Sequence, residues 1–310
     1  MLALIATWFM GISLGTFFLH FFVLAFFLRP QDLKKKYKTE WALVTGSSSG
    51  IGKALAEKLC SQGLNVVLVA LDDKLLKETH LELQKKFDKV EVRCVGCDLS
   101  RTGYMEPIIK ATKDIQVGIV FNNAGYVTTG FFADVSIERH LANNECNSTC
   151  TLMITHHFLN KMLDSGSKGL IGFTSSPAGQ MPSPLVCIYG ATKAFVTEFA
   201  VSLAPEVHYF GVDVVVAHPS PVSTRFYAAA HDIGSINVFK ATASGPENIV
   251  NYMFAAAGRT VVADQGYFSF GLAVLLKVLD PWLLADIITR CIHLSPDFYK
   301  VAVMRKAKAK

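Results

Sequence analysis

A chain of 310 residues, 51% of them hydrophobic, has room for one large α/β domain with appendages or for two small domains. The net charge of +5 is modest. Its basic residues gather beside the apolar N-terminus and in the last six positions, which suits a membrane surface better than a nucleic-acid groove. No zinc-finger spacing, basic–aromatic alternation or internal repeat is present, so nucleic acid is not an expected partner.

Residues 1–28 carry no charge and are crowded with Phe, Leu and Ile. At about 1.5 Å per residue such a run can cross a hydrocarbon core of roughly 30 Å. Its uncharged start, its length and its Phe-Phe-Leu-Arg29-Pro30 end differ from a cleaved signal peptide, so an uncleaved transmembrane helix is expected. Arg29, Lys34, Lys35, Lys36 and Lys38 follow at once in a basic linker, 29–40. The positive-inside rule then puts the remainder in the cytosol. Lys306, Lys308 and Lys310 end the chain and resemble the dilysine retrieval signal of endoplasmic-reticulum membrane proteins, the alternative being a basic frayed tail.

From Trp41 the pattern changes to short apolar runs alternating with helical ones. Trp41–Thr45 reads as a strand that enters Gly46-Ser-Ser48-Ser-Gly50-Ile51-Gly52 and then a helix through Leu59. Glycines between strand and helix permit a tight turn, a close approach to a pyrophosphate and close helix–sheet packing, while the helix N-terminus offers free N–H groups. Strands are expected at Asn65–Ala70, at Val90–Val95 running on to Asp98, and at Val117–Phe121, which ends in Asn122-Asn123-Ala-Gly125. Helices are expected at Asp73–Phe87 and Ile137–Leu163. Gly169–Thr174 delivers Ser176, and Val212–Ala217 exits at His218. This alternation predicts an α/β fold, a doubly wound parallel sheet of Rossmann type with an N-terminal transmembrane helix, the catalytic domain spanning 41–265.

Seven cysteines, an odd number within apolar elements, point to reduced, packed thiols. Cys94-x-x-Cys97 closes a strand instead of opening a helix and has no second ligand pair, so no metal site is expected. Tyr189 and Lys193 are four apart and share a helix face. An ammonium one turn away favours the phenolate, and Ser176 adds a hydroxyl able to polarise a carbonyl. Pro205 is expected to kink or end that helix.

These motifs, in this order, make residues 41–225 resemble the classical short-chain dehydrogenases/reductases. Within that family the chain resembles the membrane-anchored branch of very-long-chain 3-oxoacyl-CoA reductases and 17β-hydroxysteroid dehydrogenases. Cys146-Asn-Ser-Thr149, Tyr189-Gly-Ala-Thr-Lys-Ala-Phe-Val196 and Val222-Ser-Thr224 carry the closer likeness. The resemblance implies a catalytic set of Asn147, Ser176, Tyr189 and Lys193, with Asn147 supporting a water relay to the lysine. It implies cofactor contacts by Gly46, Ser48, Gly50, Ile51, Gly52, Asp98, Asn123, Gly125, Val222 and Thr224, together with Tyr189 and Lys193.

The same resemblance implies NADP(H), with NAD(H) left open because Ala70 and Leu71 match neither cofactor rule. Lys53, Lys74 and Lys77 are candidates for a 2′-phosphate, the alternative being solvated helix lysines. Pro177 and Ser220 depart from common family glycines. The implied function is reduction of a lipid carbonyl at the endoplasmic reticulum, the 3-oxo group of a long-chain acyl-CoA in fatty-acid elongation. A hydroxysteroid dehydrogenase is the alternative, and an inactive membrane scaffold the reading of another class. Family members pair through two helices, for which Phe195, Phe199 and Leu203 are candidates, the alternative being that they are core, and a homodimer or association with other lipid-elongation enzymes is implied. Gly271–Thr289 in the apolar 266–310 segment is broken by Lys277, Asp280 and Pro281, which favours an interfacial or site-covering helix pair over a second membrane span.

Overall fold

The computed structural model describes residues 1–227, 237, 238 and 241–308, apart from a few N-terminal side chains, that of residue 227 and those of 306–310. The side chains of the expected retrieval lysines Lys306 and Lys308, and the whole of Lys310, therefore lie outside what is described. Seven strands form one parallel sheet: β1 (Trp41–Thr45), β2 (Asn65–Ala70), β3 (Val92–Gly96), β4 (Val117–Asn122), β5 (Gly169–Thr174), β6 (Val212–Pro219) and β7 (Val262–Gln265). Their order is 3-2-1-4-5-6-7. It reverses between β1 and β4, which opens a crevice at the carboxyl ends of the strands.

Alternate side chains of each strand feed two cores. Ala42 and Val44 join one core with Leu55 and Leu59 of α3 (Gly50–Ser61), Leu76 and Leu83 of α4 (Lys74–Lys86) and Phe254. Leu43 faces the other, with Ile108, Ile154, Phe158 and Val196. Each such fully buried side chain contributes about 1.5–3 kcal/mol. The second core is covered by α5 (Met105–Ala111), α6 (Ile137–Asn144), α7 (Cys150–Asp164) and α8 (Cys187–His208).

The expected single helix over 137–163 is divided: a π-turn at Glu145–Thr149 joins α6 to α7. Such a turn inserts an extra residue and re-aims the side chains it carries, here Asn147. α8 continues through Pro205 to His208. Leu203 is buried and Phe199 packs on Phe173 at 5.8 Å, so both belong to the core, whereas Phe195 stays exposed. Of the cysteines, Cys60, Cys146 and Cys150 are buried, but Cys94, Cys187 and Cys291 are exposed, which corrects the expectation that all are packed.

The expected transmembrane helix is not supported. Among the described residues no helix is long and apolar enough to cross a membrane. The uncharged run is shared between α1 (Leu2–Phe22) and a π-turn, Val23–Phe27, and its later part packs on the domain. Phe21 lies 4.2 Å from the Phe270 ring, His20 meets Thr260 at 3.2 Å, and Leu24 is buried.

The expected linker is likewise docked. Its helix α2 (Leu33–Tyr37) is capped by Asp32 and buries Leu33 and Tyr37. Tyr37 donates to Asp213 Oδ2 at 2.9 Å, and Gln31 donates to the Phe254 carbonyl at 3.0 Å. After α9 (Pro246–Ala256) and β7 comes the expected helix pair, α10 (Gly266–Val278) and α11 (Pro281–Cys291). The breakers prove to be helix punctuation: Asp280 accepts from the N–H groups of Trp282 and Leu283, and Pro281 occupies the first turn. A last helix, α12 (Pro296–Lys308), returns to the β4–α6 connection through Arg305–Asp134 at 3.1 Å.

Candidate active site

The crevice between β1 and β4 begins at the glycine turn. Gly46 and Gly50 hold φ of +63° and +55°, a region open to glycine at little cost. A Cβ on Gly50 would lie 2.8 Å from Thr224 Cγ2, and one on Gly52 would overlap the Gly46 carbonyl oxygen. The turn is pinned from beneath. Thr45 Oγ1 accepts from the N–H groups of Asn123 (2.9 Å) and Ala124 (3.0 Å), and Asn123 Nδ2 donates to the Thr45 carbonyl at 3.1 Å. Thr174 donates to Asn123 Oδ1 at 3.0 Å, tying in β5. Ser49 gives α3 no side-chain cap, so its N-terminal N–H groups are left for a ligand. A bare glycine surface under an uncapped helix N-terminus fits a dinucleotide pyrophosphate.

At the other end of the crevice, the start of α8 presents Tyr189 and Lys193. Lys193 is almost wholly buried, donates to the Thr174 carbonyl at 2.8 Å and stands 5.7 Å from the centre of the Tyr189 ring. Ser176 caps a short turn by accepting from Ala178 N at 3.2 Å, which leaves its own hydrogen to be donated. Pro177 occupies the first position of that turn. The π-turn aims Asn147 at the wall behind: its Oδ1 accepts from Tyr126 N (3.0 Å) and its Nδ2 donates to Tyr126 O (3.0 Å) and Thr192 Oγ1 (3.2 Å).

The cleft has a volume of about 440 Å³. Of the candidate site residues, Gly46, Ser48, Gly50, Ile51, Asn123, Gly125, Ser176, Tyr189, Lys193, Val222 and Thr224 line it, and Gly52, Asp98 and Asn147 do not. Gly52 sits under the turn and Asn147 behind the wall. Asp98 accepts from the Ser100 backbone (2.9 Å) and hydroxyl (2.6 Å). Sequence reasoning missed Tyr126, Arg225 and Phe226, which also line the cleft beside Leu71, and Phe226 stands 5.5 Å from the Tyr189 ring.

Lys53, Lys74 and Lys77 pair with Glu82 (2.6 Å), Glu78 (3.4 Å) and Asp72 (3.5 Å), outside the lining, whereas Arg225 is part of it. Ser220, in place of a common family glycine, accepts from Phe268 N and Ser269 N at the start of α10.

Burial pushes the Lys193 ammonium down from 10.5 to about 8. The unfolded chain therefore binds more protons between those values, and the stability tied to this group rises with pH through that window. Below about pH 8 the buried ammonium costs on the order of 3 kcal/mol. The variant Lys193→Met is expected to match or exceed the wild type in urea-unfolding stability at pH 7, and to lose that advantage as pH approaches 10. A stability difference that stays constant with pH would show that burial does not penalise the ammonium.

A model of the short chain dehydrogenase family matches residues 40–232. A very-long-chain 3-oxoacyl-CoA reductase-like protein of Arabidopsis thaliana is 33% identical over 224 residues, 71% of each chain. The very-long-chain 3-oxoacyl-CoA reductase of Homo sapiens is 36% identical over 192 residues, and the match spans 60% of that relative, under two thirds of its length. Among solved structures, one of a study of 7β-hydroxysteroid dehydrogenase stereoselectivity aligns with TM-score 0.72 and 27% identity, over 81% of this chain and 95% of the other. A short-chain dehydrogenase of Sphingobium yanoikuyae in complex with NADPH aligns with TM-score 0.66 and 27% identity, over 72% and 87%.

Proposed function

The chain belongs to the short-chain dehydrogenases, NAD(P)-dependent oxidoreductases acting on CH–OH/C=O pairs, and we propose that it reduces the 3-oxo group of long-chain acyl-CoA with NADPH in fatty-acid elongation. The observation that carries this reading is the meeting of Ser176, Tyr189 and Lys193 at one end of a cleft whose other end is the bare glycine turn. The names of the Arabidopsis and human relatives support the acyl-CoA substrate, and the NADPH-bound neighbour supports the cofactor.

A bound nicotinamide supplies the hydride. Ser176 donates a hydrogen bond to the carbonyl oxygen and favours the negative charge that develops there. Tyr189 gives that oxygen its proton. Lys193, held by the Thr174 carbonyl, offsets the charge left on the tyrosine, and Asn147 fixes the wall carrying Tyr126. Phe226, beside Tyr189, gives the reacting end of the cleft apolar surface suited to a lipid.

We place the protein at the endoplasmic-reticulum membrane with this domain in the cytosol. Trp8 and Phe9 of α1 and Trp282 of α11 are exposed at 68%, 71% and 81%, and large apolar side chains left uncovered are what a membrane surface takes up. A hydroxysteroid dehydrogenase is the second reading, favoured by the structural likeness to the 7β-hydroxysteroid enzyme.

A substrate panel assayed separately on membrane and soluble fractions separates the two. The proposal expects NADPH oxidation with long-chain 3-oxoacyl-CoA, concentrated in the membrane fraction. Turnover of a ketosteroid with none of acyl-CoA would overturn it in favour of the second reading.

A further inference from the structure

His218 leaves the end of β6 wholly buried and has no part in the mechanism above. Its Nδ1 lies 2.6 Å from Asp264 Oδ1 of β7 and 2.9 Å from Gln180 Nε2. On the other side of the ring, Nε2 is 3.0 Å from Thr197 Oγ1 of α8. The Thr197 hydroxyl reaches the Lys193 carbonyl at 3.0 Å, and Ser175 Oγ donates to the same carbonyl at 2.8 Å. Ser175 and Thr197 stand 2.8 Å apart. The imidazole is thus held at both ring nitrogens and cannot turn without breaking a bond.

This buried network joins the two halves of the catalytic set. Ser175 is the residue before Ser176, at the end of β5. Thr197 is one helical turn after Lys193, which is one turn after Tyr189. The carbonyl of Lys193 is therefore a second point, beside the Lys193 Nζ bond to the Thr174 carbonyl, at which the Ser176 strand and the Tyr189–Lys193 helix are fixed to each other. Resting on the reading of those residues as catalytic, we propose that His218 is a positioning residue, acting through Thr197 and Ser175 to set the spacing of Ser176 against Tyr189 and Lys193.

Stability alone accounts poorly for the group. A buried His–Asp pair costs desolvation that an apolar side chain of similar volume avoids, and the preceding positions Val214, Val215, Val216 and Ala217 are apolar. Spacing errors at a reacting centre, by contrast, are expensive in rate.

The test uses the full-length protein with Thr197→Val, Thr197→Ser and His218→Phe. NADPH affinity is read by quenching of nicotinamide fluorescence, and kcat and KM with a 3-oxoacyl-CoA. In Thr197→Val and His218→Phe, kcat is expected to fall about 10-fold and NADPH affinity several-fold, with KM for the carbonyl substrate unchanged. Thr197→Ser keeps the hydroxyl and is expected to restore both.

Wild-type kcat and NADPH affinity in folded Thr197→Val would overturn the proposal, and so would a failure of Thr197→Ser to rescue. If His218→Phe does not fold, the Thr197 pair decides alone. If the wild type reduces no carbonyl in the panel, the functional reading fails, while the NADPH titrations still decide the positioning claim. A wild type that binds no nicotinamide cofactor overturns both.

Discussion

Tyr189→Phe is expected to lower kcat by about 10²–10⁴-fold, the contribution usual for a positioned proton donor, while NADPH affinity changes by less than about 2-fold. The substitution removes only the hydroxyl. The ring that packs 5.5 Å from Phe226 remains, as does the Lys193 bond to the Thr174 carbonyl, so the cofactor end of the cleft is undisturbed. Single-turnover measurements separate the two quantities. A variant that turns over at the wild-type rate would take the proton from elsewhere and leave Tyr189 a packing residue.

Gly52→Ala tests the opposite end of the cleft and sets two principles against each other. In a helix interior alanine is favoured over glycine by about 1 kcal/mol, which predicts stabilisation. The added methyl, however, would overlap the Gly46 carbonyl oxygen and sit 2.7 Å from Asn123 Nδ2. Overpacking against backbone costs about 1–3 kcal/mol, and the neighbours are themselves pinned by Thr45, so the turn has to move. A net loss of stability and a drop of more than about 10-fold in NADPH affinity are expected. Gly271→Ala is the control: nothing lies within 4 Å of a Cβ there, so propensity acts alone. Equal behaviour of the two variants would show that the turn tolerates side chains and is no pyrophosphate cradle.

The sheet was readable because its strands are short apolar runs bounded by glycine, asparagine or proline, and β1, β2 and β5 fall on the residues expected of them. β7 escaped for the converse reason. Val262–Gln265 holds Asp264 and Gln265, and only its pairing with β6 makes it a strand. The π-turn at Glu145–Thr149 was hidden because helical periodicity runs through it, yet it decides where Asn147 points. The docked segment before β1 did leave a signal: Leu33 and Tyr37 are four apart among the lysines, an apolar pair on one helix face that a count of charge passes over.

Hydropathy likewise recorded how greasy residues 1–28 are and not how they divide: His20, Phe21 and Leu24 pack on the domain, while Trp8 and Phe9 stay exposed. Of the site, the residues at strand ends and helix starts were legible because chemistry and turn geometry both demand them. Arg225 and Phe226 follow β6 in a single 3-10 turn, Arg225–Tyr227, too short for a period to announce a direction. Lys53, Lys74 and Lys77 were visible as charges; the Lys74–Glu78 pair could be read from its i,i+4 spacing, whereas the Lys53–Glu82 pair, 29 residues apart in the chain, emerges only in three dimensions.

The central claim, transfer of hydride to a carbonyl carbon at the Ser176–Tyr189–Lys193 end of the cleft, is tested most directly with NADPH deuterated at the transferable C4 position. After incubation with a long-chain 3-oxoacyl-CoA, the product is analysed by mass spectrometry. One deuterium on the carbinol carbon of the 3-hydroxyacyl product, formed about 10²–10⁴-fold more slowly when Tyr189→Phe replaces the wild type, is the predicted result. A wild-type protein that leaves the thioester unreduced, or yields a product without deuterium, would contradict the account.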